Sequence, residues 1–351
     1  MVALYITSTE SAGKTALCTG IGKKLLDRGT KVGFMMPVHL IETGKTDGCG
    51  DAAFIKDTLK LAESEGLICP IHLSQHELWR NLTEDVENFS QNLKQAYRKI
   101  SRDKDVVIME GLGNIGVDKV STLACYTIAD VLEARVIIVL HYSSDFDVSK
   151  IVQISKKVKH LVGVVISLVP KPKMETAGHQ LTVLFKKAGI KVLGIFPEVR
   201  SLLGVSAKDL AQVLNGEILT APEKTNEIVE SVMVGAMTVD SGIMYFNRKE
   251  NKAVVVRGER ADMQLAALET PTRCLIVTDN VKPLPFVIVR AQEKHVPIII
   301  VKQDTSAAIA GIEEALTKAS FWSGRKLEMY GKVLDNCFDF PALYSELGLE
   351  A

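Results

Sequence analysis

The stretch ALYITSTESAGKTALCTGIGKKLL, residues 3–26, decides how the first part of the chain is read. A short apolar run, Val2 to Ile6, leads into a loop of small and polar residues that ends in Gly13-Lys14-Thr15, after which Leu17, Ile21 and Leu25 recur at helical spacing. That order predicts strand, loop and helix. Such a junction leaves backbone N–H groups unpaired at the positive end of the helix dipole, where several of them converge on one phosphate. Lys14 adds a full charge, and Thr15 places a hydroxyl in the first turn, where it can ligate Mg²⁺. The pattern is degenerate, because Ser8 stands where GxxxxGK[ST] has its first glycine and a serine must keep its Cβ clear of the turn. Gly13, Lys14, Thr15 and Ala16 are the expected nucleotide-binding positions. The alternative is a loop that keeps the shape and binds nothing.

Outward from this stretch the pattern repeats. Gly29 stops the helix, and KVGFMMPV (31–38) reads as the next strand. Further strands are expected at DVVIME (105–110), RVIIVLHY (135–142), LVGVVISLV (161–169) and KVLGIFP (191–197). Helices are expected over 51–66, 84–101, 148–159 and 176–189. Near-continuous apolar strands alternating with helices mean an α/β fold with a parallel sheet covered on both faces. The polar, proline-containing segment EILTAPEKTNE (217–227) reads as a boundary, giving domains over 1–216 and 217–320 and a helical tail over 321–351. The second series has strands at AVVVRG (253–258), RCLIVT (273–278) and VPIIIV (296–301), with helices over 261–268, from about 286, and over 306–318.

A chain of 351 residues exceeds the usual size of one core, which agrees with two domains. With 42 basic against 42 acidic residues, net charge makes no case for nucleic acid, and Lys156, Lys157 and Lys159 read as a solvated helix face. The six cysteines form no CxxC pair, so a zinc site is disfavoured and reduced thiols are expected. His72 and His76 share HxxxH spacing beside Trp79 in a segment that reads as irregular, and surface histidines are the commoner reading. No basic leader and no apolar run of roughly 18 residues is present, so a soluble, cytoplasmic protein with no membrane partner is expected.

A second constellation is VVIMEGLGN (106–114), where an apolar strand ends in Glu110. An acid at the carboxyl end of a parallel strand lies beside the first loop if the two strands are neighbours, and it can then hold Mg²⁺ directly or through water. Gly111 and Gly113 let the backbone come near a ligand. A further acid is Asp51, with Asp47 before it, although Asp51 taken alone reads as a helix N-cap. Thr15, Asp51 and Glu110 are together the expected magnesium ligands.

These segments, with YITSTESAGKTALCTGIGKKLLDRGTKVGFMMPV (5–38), LVGVVISLVP (161–170) and VLGIFPE (192–198), resemble the dethiobiotin-synthetase-like domain at the N-terminus of many phosphotransacetylases. MVGAMTVDSGIMYF (233–246), NKAVVVRGERADMQLAALET (251–270) and CLIVTDN (274–280) resemble the DRTGG domain that follows it there. The resemblance implies a P-loop NTPase fold joined to a smaller α/β regulatory module, in a stand-alone protein without the catalytic acetyltransferase domain. Three departures matter. Met36 replaces the lysine that serves the carbamate chemistry, Ser167 stands at the asparagine that reads adenine, and Thr278-Asp279-Asn280 replaces Thr-Gly-Gly. The family's aspartate-arginine is Glu259-Arg260, and with Arg257 it forms either an anion clamp or a pair that ties its loop to its helix.

The residues and the resemblance together lead to the expectation of a nucleotide-binding regulatory or scaffold protein. ATP or a related nucleotide is expected with Mg²⁺ on the first domain, at the loop and Ser167, and the DRTGG domain is expected to sense a ligand, at Arg257, Glu259 and Arg260, or to mediate assembly. Expected partners are the nucleotide, a partner enzyme of acetyl-phosphate metabolism and a second copy of the chain. The alternative is an ATP-dependent synthetase or ligase acting on a carboxylate or carbamate; any turnover would be ATP hydrolysis or ligation, not acetyl transfer. A third reading makes the α/β layers a protein interface only.

Overall fold

A computed structural model describes residues 1–10, 13–41, 50–143, 147–237, 239–317 and 324–349. The first sheet has six strands: β1 (Val2–Ser8), β2 (Val32–Met35), β3 (Val106–Glu110), β4 (Arg135–His141), β5 (Leu161–Val169) and β6 (Val192–Pro197). Their order is β2-β3-β1-β4-β5-β6 and every pairing is parallel. β1 sits centrally because its residues are buried from Ala3 to Ser8, which leaves no solvated face for an edge position. Its register against β3 sets Ile6 opposite Glu110, so the first loop and that acid leave the sheet side by side.

Helix α1 (Lys14–Asp27) follows β1, and α2 (Gly50–Leu59) follows β2. The helix expected over 51–66 stops at Leu59, where Lys60 turns left-handed at φ 51°. Upstream of the helix expected at 84–101, the chain forms α3 (Gln75–Thr83) before α4 (Val86–Ile100). The segment expected to be irregular around His76 is therefore helical. A capping box starts it: Ser74 Oγ accepts from Glu77 N at 3.3 Å and the Glu77 carboxylate accepts from Ser74 N at 2.8 Å.

The second sheet contains β7 (Glu217–Ile218), β8 (Ser231–Val234), β9 (Lys252–Arg257), β10 (Thr272–Thr278) and β11 (Ile298–Ile300), in the order β7-β11-β10-β9-β8. All pairings are parallel except that of β7 with β11. Around it run α5 (Ala207–Val213), α6 (Ala261–Leu268), α7 (Pro285–Glu293) and α8 (Thr305–Thr317).

Two compact units result, residues 1–198 with 322–351, and residues 199–321. The expected boundary at 216 moves toward the N-terminus, because Leu210 and Leu214 bury themselves against Ile299 and Ala308 in the second core. The polar segment 217–227 is not a linker, since Glu217 and Ile218 pair with Ile300 and Ile299 as an edge strand. The tail is also no separate element: α9 (Gly324–Cys337) and α10 (Phe340–Leu347) belong to the first unit, where Asp339 N donates to Leu193 O at 2.7 Å.

Cys18, Cys125, Cys274 and Cys337 are free. Among the described residues no helix is long and apolar enough to cross a membrane.

One buried charge bears on stability. Lys252, at the start of β9, is fully buried, and its Nζ donates to Pro271 O at 3.0 Å. Burial pulls its pKa down to about 8, against the opposing charge of Glu250. Because the folded value lies below the unfolded one, the unfolded chain binds more protons between about pH 8 and 10.5, and the cost of burial is fully present below that window and fades across it. At neutral pH the cost is about 3 kcal/mol, against about 1 kcal/mol for the hydrogen bond. Lys252→Met is expected to stabilise the second unit by about 1–2 kcal/mol at pH 7, with the gain shrinking toward pH 10.5. Urea midpoints of both proteins across that range check it; a constant difference would mean that the amine is not what sets the cost.

Candidate functional site

The loop between β1 and α1 reaches the helix through Gly13, which lies in the left-handed region at φ 82°, ψ 35° and makes no side-chain cap. The first turn of α1 contains no acidic residue, so no carboxylate of the helix itself opposes an anion at its start. Lys14 Nζ donates to Ser8 Oγ at 3.2 Å, and Ser8 Oγ donates to Glu10 O at 2.5 Å. A Cβ on Gly113 would sit 3.1 Å from that ammonium, which places Lys14 against the loop that follows β3.

Thr15 donates its hydroxyl to Glu110 Oε1 at 2.7 Å. Two hard oxygen donors from separate elements therefore meet at the carboxyl ends of adjacent strands, the donor type that magnesium takes. Among the described residues no group of three His, Cys, Asp or Glu side chains could hold a metal. Asp51 belongs to the first turn of α2, but its side chain lies outside the described residues, as does Asp47. Thr15 and Glu110 are of the donor type that Mg²⁺ takes, and they are two oxygen donors, not a full set.

Beneath the loop the chemistry is inert. Burial pushes the Cys125 thiol up to about 12, against a hydrogen bond from Thr7, and burial raises the Tyr5 phenol well above its ordinary value. Thr7 Oγ1 donates to Leu112 O at 2.7 Å and stitches β1 to the loop after β3. Ala16 is buried, so it can offer a ligand only its backbone N–H. Two features of the loop have no signal in the sequence: Ser8 holds Lys14, and Glu10 reaches His141 Nδ1 at the end of β4, at 3.3 Å.

Met36, just past β2, is half-buried and brings no charge to this end of the sheet. Ser167 is buried within β5, and its hydroxyl donates to Leu140 O at 3.2 Å. Its neighbour Leu168 turns left-handed at φ 60° where the register with β6 shifts. The hydroxyl thus serves the strand pairing between β4 and β5.

In the second unit Arg257 Nη2 lies 3.1 Å from Glu259 and its Nε 3.8 Å from Asp279. Arg260 turns to Asp262 with bonds of 2.8 and 2.9 Å, and also donates to Met237 O at 2.9 Å. The hydrogen bond from Arg260 holds the Asp262 carboxyl below its usual range. Between an anion clamp and a tie from loop to helix, the tie is what these contacts make. Asp279 and Asn280 adopt φ 66° and 54°, the conformation glycine takes most easily and Asp and Asn tolerate best among other residues.

A parallel sheet with a lysine and a threonine at the loop after its central strand, and an acid on the neighbouring strand, defines a P-loop NTPase-like unit. Residues 2–206 match the AAA domain family and residues 209–315 match the DRTGG domain. The first match takes in more than half of the sequence, and the chain belongs to the AAA domain family, with a DRTGG domain after it. It is 27% identical over 198 residues to the ATP-dependent dethiobiotin synthetase BioD of Methanococcus vannielii, covering 55% of this chain and 76% of that protein. It is 22% identical over 302 residues to the phosphate acetyltransferase of Pseudomonas putida, covering 81% of this chain but spanning only 42% of that relative's length. Among solved structures, the CBS and DRTGG domains of the regulatory region of Clostridium perfringens pyrophosphatase match at a TM-score of 0.29 with 18% identity, over 41% of this chain and 72% of that one.

Proposed function

We propose that the chain is a nucleotide-binding regulatory or scaffold protein. Its P-loop unit takes ATP or a related nucleotide with Mg²⁺, and its DRTGG unit senses a second ligand or mediates assembly, with a second copy or with a partner enzyme of acetyl-phosphate metabolism. The observation that carries this reading is an asymmetry of the site: Thr15 bonds Glu110, a pair of the donor type magnesium takes, and Lys14 precedes Thr15 at the helix start, whereas Met36 leaves the lysine position of the synthetase chemistry without charge. Lys14 and the N–H groups of the first turn of α1 would hold the phosphates; Thr15 and Glu110 would hold Mg²⁺, which neutralises phosphate charge when bound. Similarity to a phosphate acetyltransferase supports the regulatory assignment.

Similarity to an ATP-dependent synthetase favours a second reading, an ATP-dependent ligase acting on a carboxylate or carbamate, and the intact Thr15–Glu110 pair is compatible with it. The two readings part at turnover. Calorimetry and thermal shift with Mg-ATP and Mg-GTP are expected to show saturable binding, worth about 2.7 kcal/mol of stabilisation at a hundredfold excess over Kd. Phosphate release is expected to stay at background with carboxylate metabolites present. No heat and no shift at millimolar nucleotide overturns the first reading, since a ligand regulates only by binding two states unequally. Phosphate release that depends on one carboxylate replaces it with the ligase.

A further inference from the structure

At the amino end of β10 the second unit opens a cleft of about 230 Å³ lined by Lys224, Glu227, Thr272, Arg273, Lys294 and His295. It lies at the opposite end of the strands from Arg257 and Thr278, since Thr272 begins β10 and Thr278 ends it. Three lining side chains are cationic and one is a carboxylate. That carboxylate is shared: Glu227 sits 3.1 Å from Lys224 and also pairs with Arg273. The remaining contact of Arg273 is neutral, a 2.9 Å bond from Nε to Asn251 Oδ1. Lys294 approaches Glu269 only to 3.5 Å, and Arg290 already takes both oxygens of Glu269 at 2.6 and 2.9 Å. His295 faces Glu223 at 3.6 Å.

The C-terminus of α7 points toward this cleft, and its negative dipole end would oppose an anion. Its last carbonyls are occupied, because Lys294 N, Val296 N and His295 N donate to Arg290 O, Ala291 O and Gln292 O at 2.9–3.1 Å. The volume lies below the usual range of about 300–1,000 Å³ for a drug-sized ligand. It suits a pair of oxyanion groups.

We infer that this cleft binds a small anion carrying two or more negative charges, of the pyrophosphate or tricarboxylate kind, among Lys224, Arg273 and Lys294. An oxyanion there meets the planar guanidinium of Arg273, which offers paired donors, and the point charges of the two lysines. Glu227 is the built-in competitor for the same cations. Burial works to raise its pKa, but the bond from Lys224 and the charge of Arg273 outweigh that and hold it ionised.

The test uses the full chain carrying Lys14→Ala, so that the loop after β1 does not compete for the probe. Pyrophosphate and citrate are titrated separately by calorimetry in low salt. At least one is expected to bind saturably, about tenfold more weakly in Lys224→Met and in Lys294→Met, and several-fold more tightly in Glu227→Gln. Arg257→Met, at the far end of the sheet, is expected to leave the affinity unchanged. No saturable heat with either probe overturns the inference, and so does binding that Arg257→Met abolishes while the three cleft variants leave it as it was. The lysines and Glu227 are rim residues, so circular dichroism of each variant establishes that its fold is kept.

Discussion

Lys14→Ala is expected to weaken Mg-nucleotide binding roughly ten- to a hundredfold while leaving the thermal midpoint of the free protein unchanged. The expectation comes from what the ammonium touches with and without a ligand. In the structure its hydrogen bond goes to the neutral Ser8 hydroxyl at 3.2 Å, a contact of little net worth at a half-buried position. Against a phosphate the same group makes charge-assisted bonds, worth about 1.5–3 kcal/mol, in a loop whose helix start carries no competing acid. Affinity and stability should therefore separate. Calorimetry with Mg-ATP and a melting curve without nucleotide measure both. An affinity that Lys14→Ala does not move would place the nucleotide elsewhere, and a chain that binds none while still holding a partner protein would fit the interface-only reading.

The parts of this site that were legible in the sequence are local. Strand, loop and helix at residues 3–26 follow from periodicity, and Glu110 follows from an apolar run that ends in an acid. What periodicity cannot supply is strand order, and the 2.7 Å contact between Thr15 and Glu110 exists only because β1 and β3 are neighbours. Side-chain direction was equally hidden. Ser167 stands at a motif position, yet its hydroxyl turns toward Leu140 beside a bulge that no residue type announces. Arg260 pairs with Asp262 instead of with the adjacent Glu259, because the turn into α6 brings the later acid to its guanidinium. The Ser74–Glu77 box, by contrast, is readable as S-x-x-E, and the helix it starts replaces an irregular segment.

The largest loss of stability is expected from Leu334→Ala, in a segment whose sequence reads as a tail. Leu334 is fully buried in α9, and a Cβ built on Gly20 of α1 would lie 2.2 Å from its Cδ1. A glycine in the middle of a helix costs about 1 kcal/mol relative to alanine, so its presence here reflects how closely α9 approaches. The same helix sets Tyr330 edge-on to Phe196 of β6 at 5.9 Å, and Arg28, just past α1, lies 4.0 Å above the Tyr344 ring of α10. Truncating Leu334 removes buried methyls and leaves a cavity against Gly20, at a cost of about 2–5 kcal/mol to the first unit. Gly20→Ala in the intact chain forces the opposite error, overpacking, and costs about 1–3 kcal/mol. The two sites touch, so their effects should not add: in the double variant the new methyl enters the space that Leu334 vacates, and the loss should fall below the sum. Denaturant unfolding followed by proteolysis or hydrogen exchange separates the units; the first should open earlier in Leu334→Ala while residues 199–321 keep their midpoint. Strict additivity, or a first unit indifferent to Leu334→Ala, would show that α9 only rests on α1 and that α1 keeps its position without it.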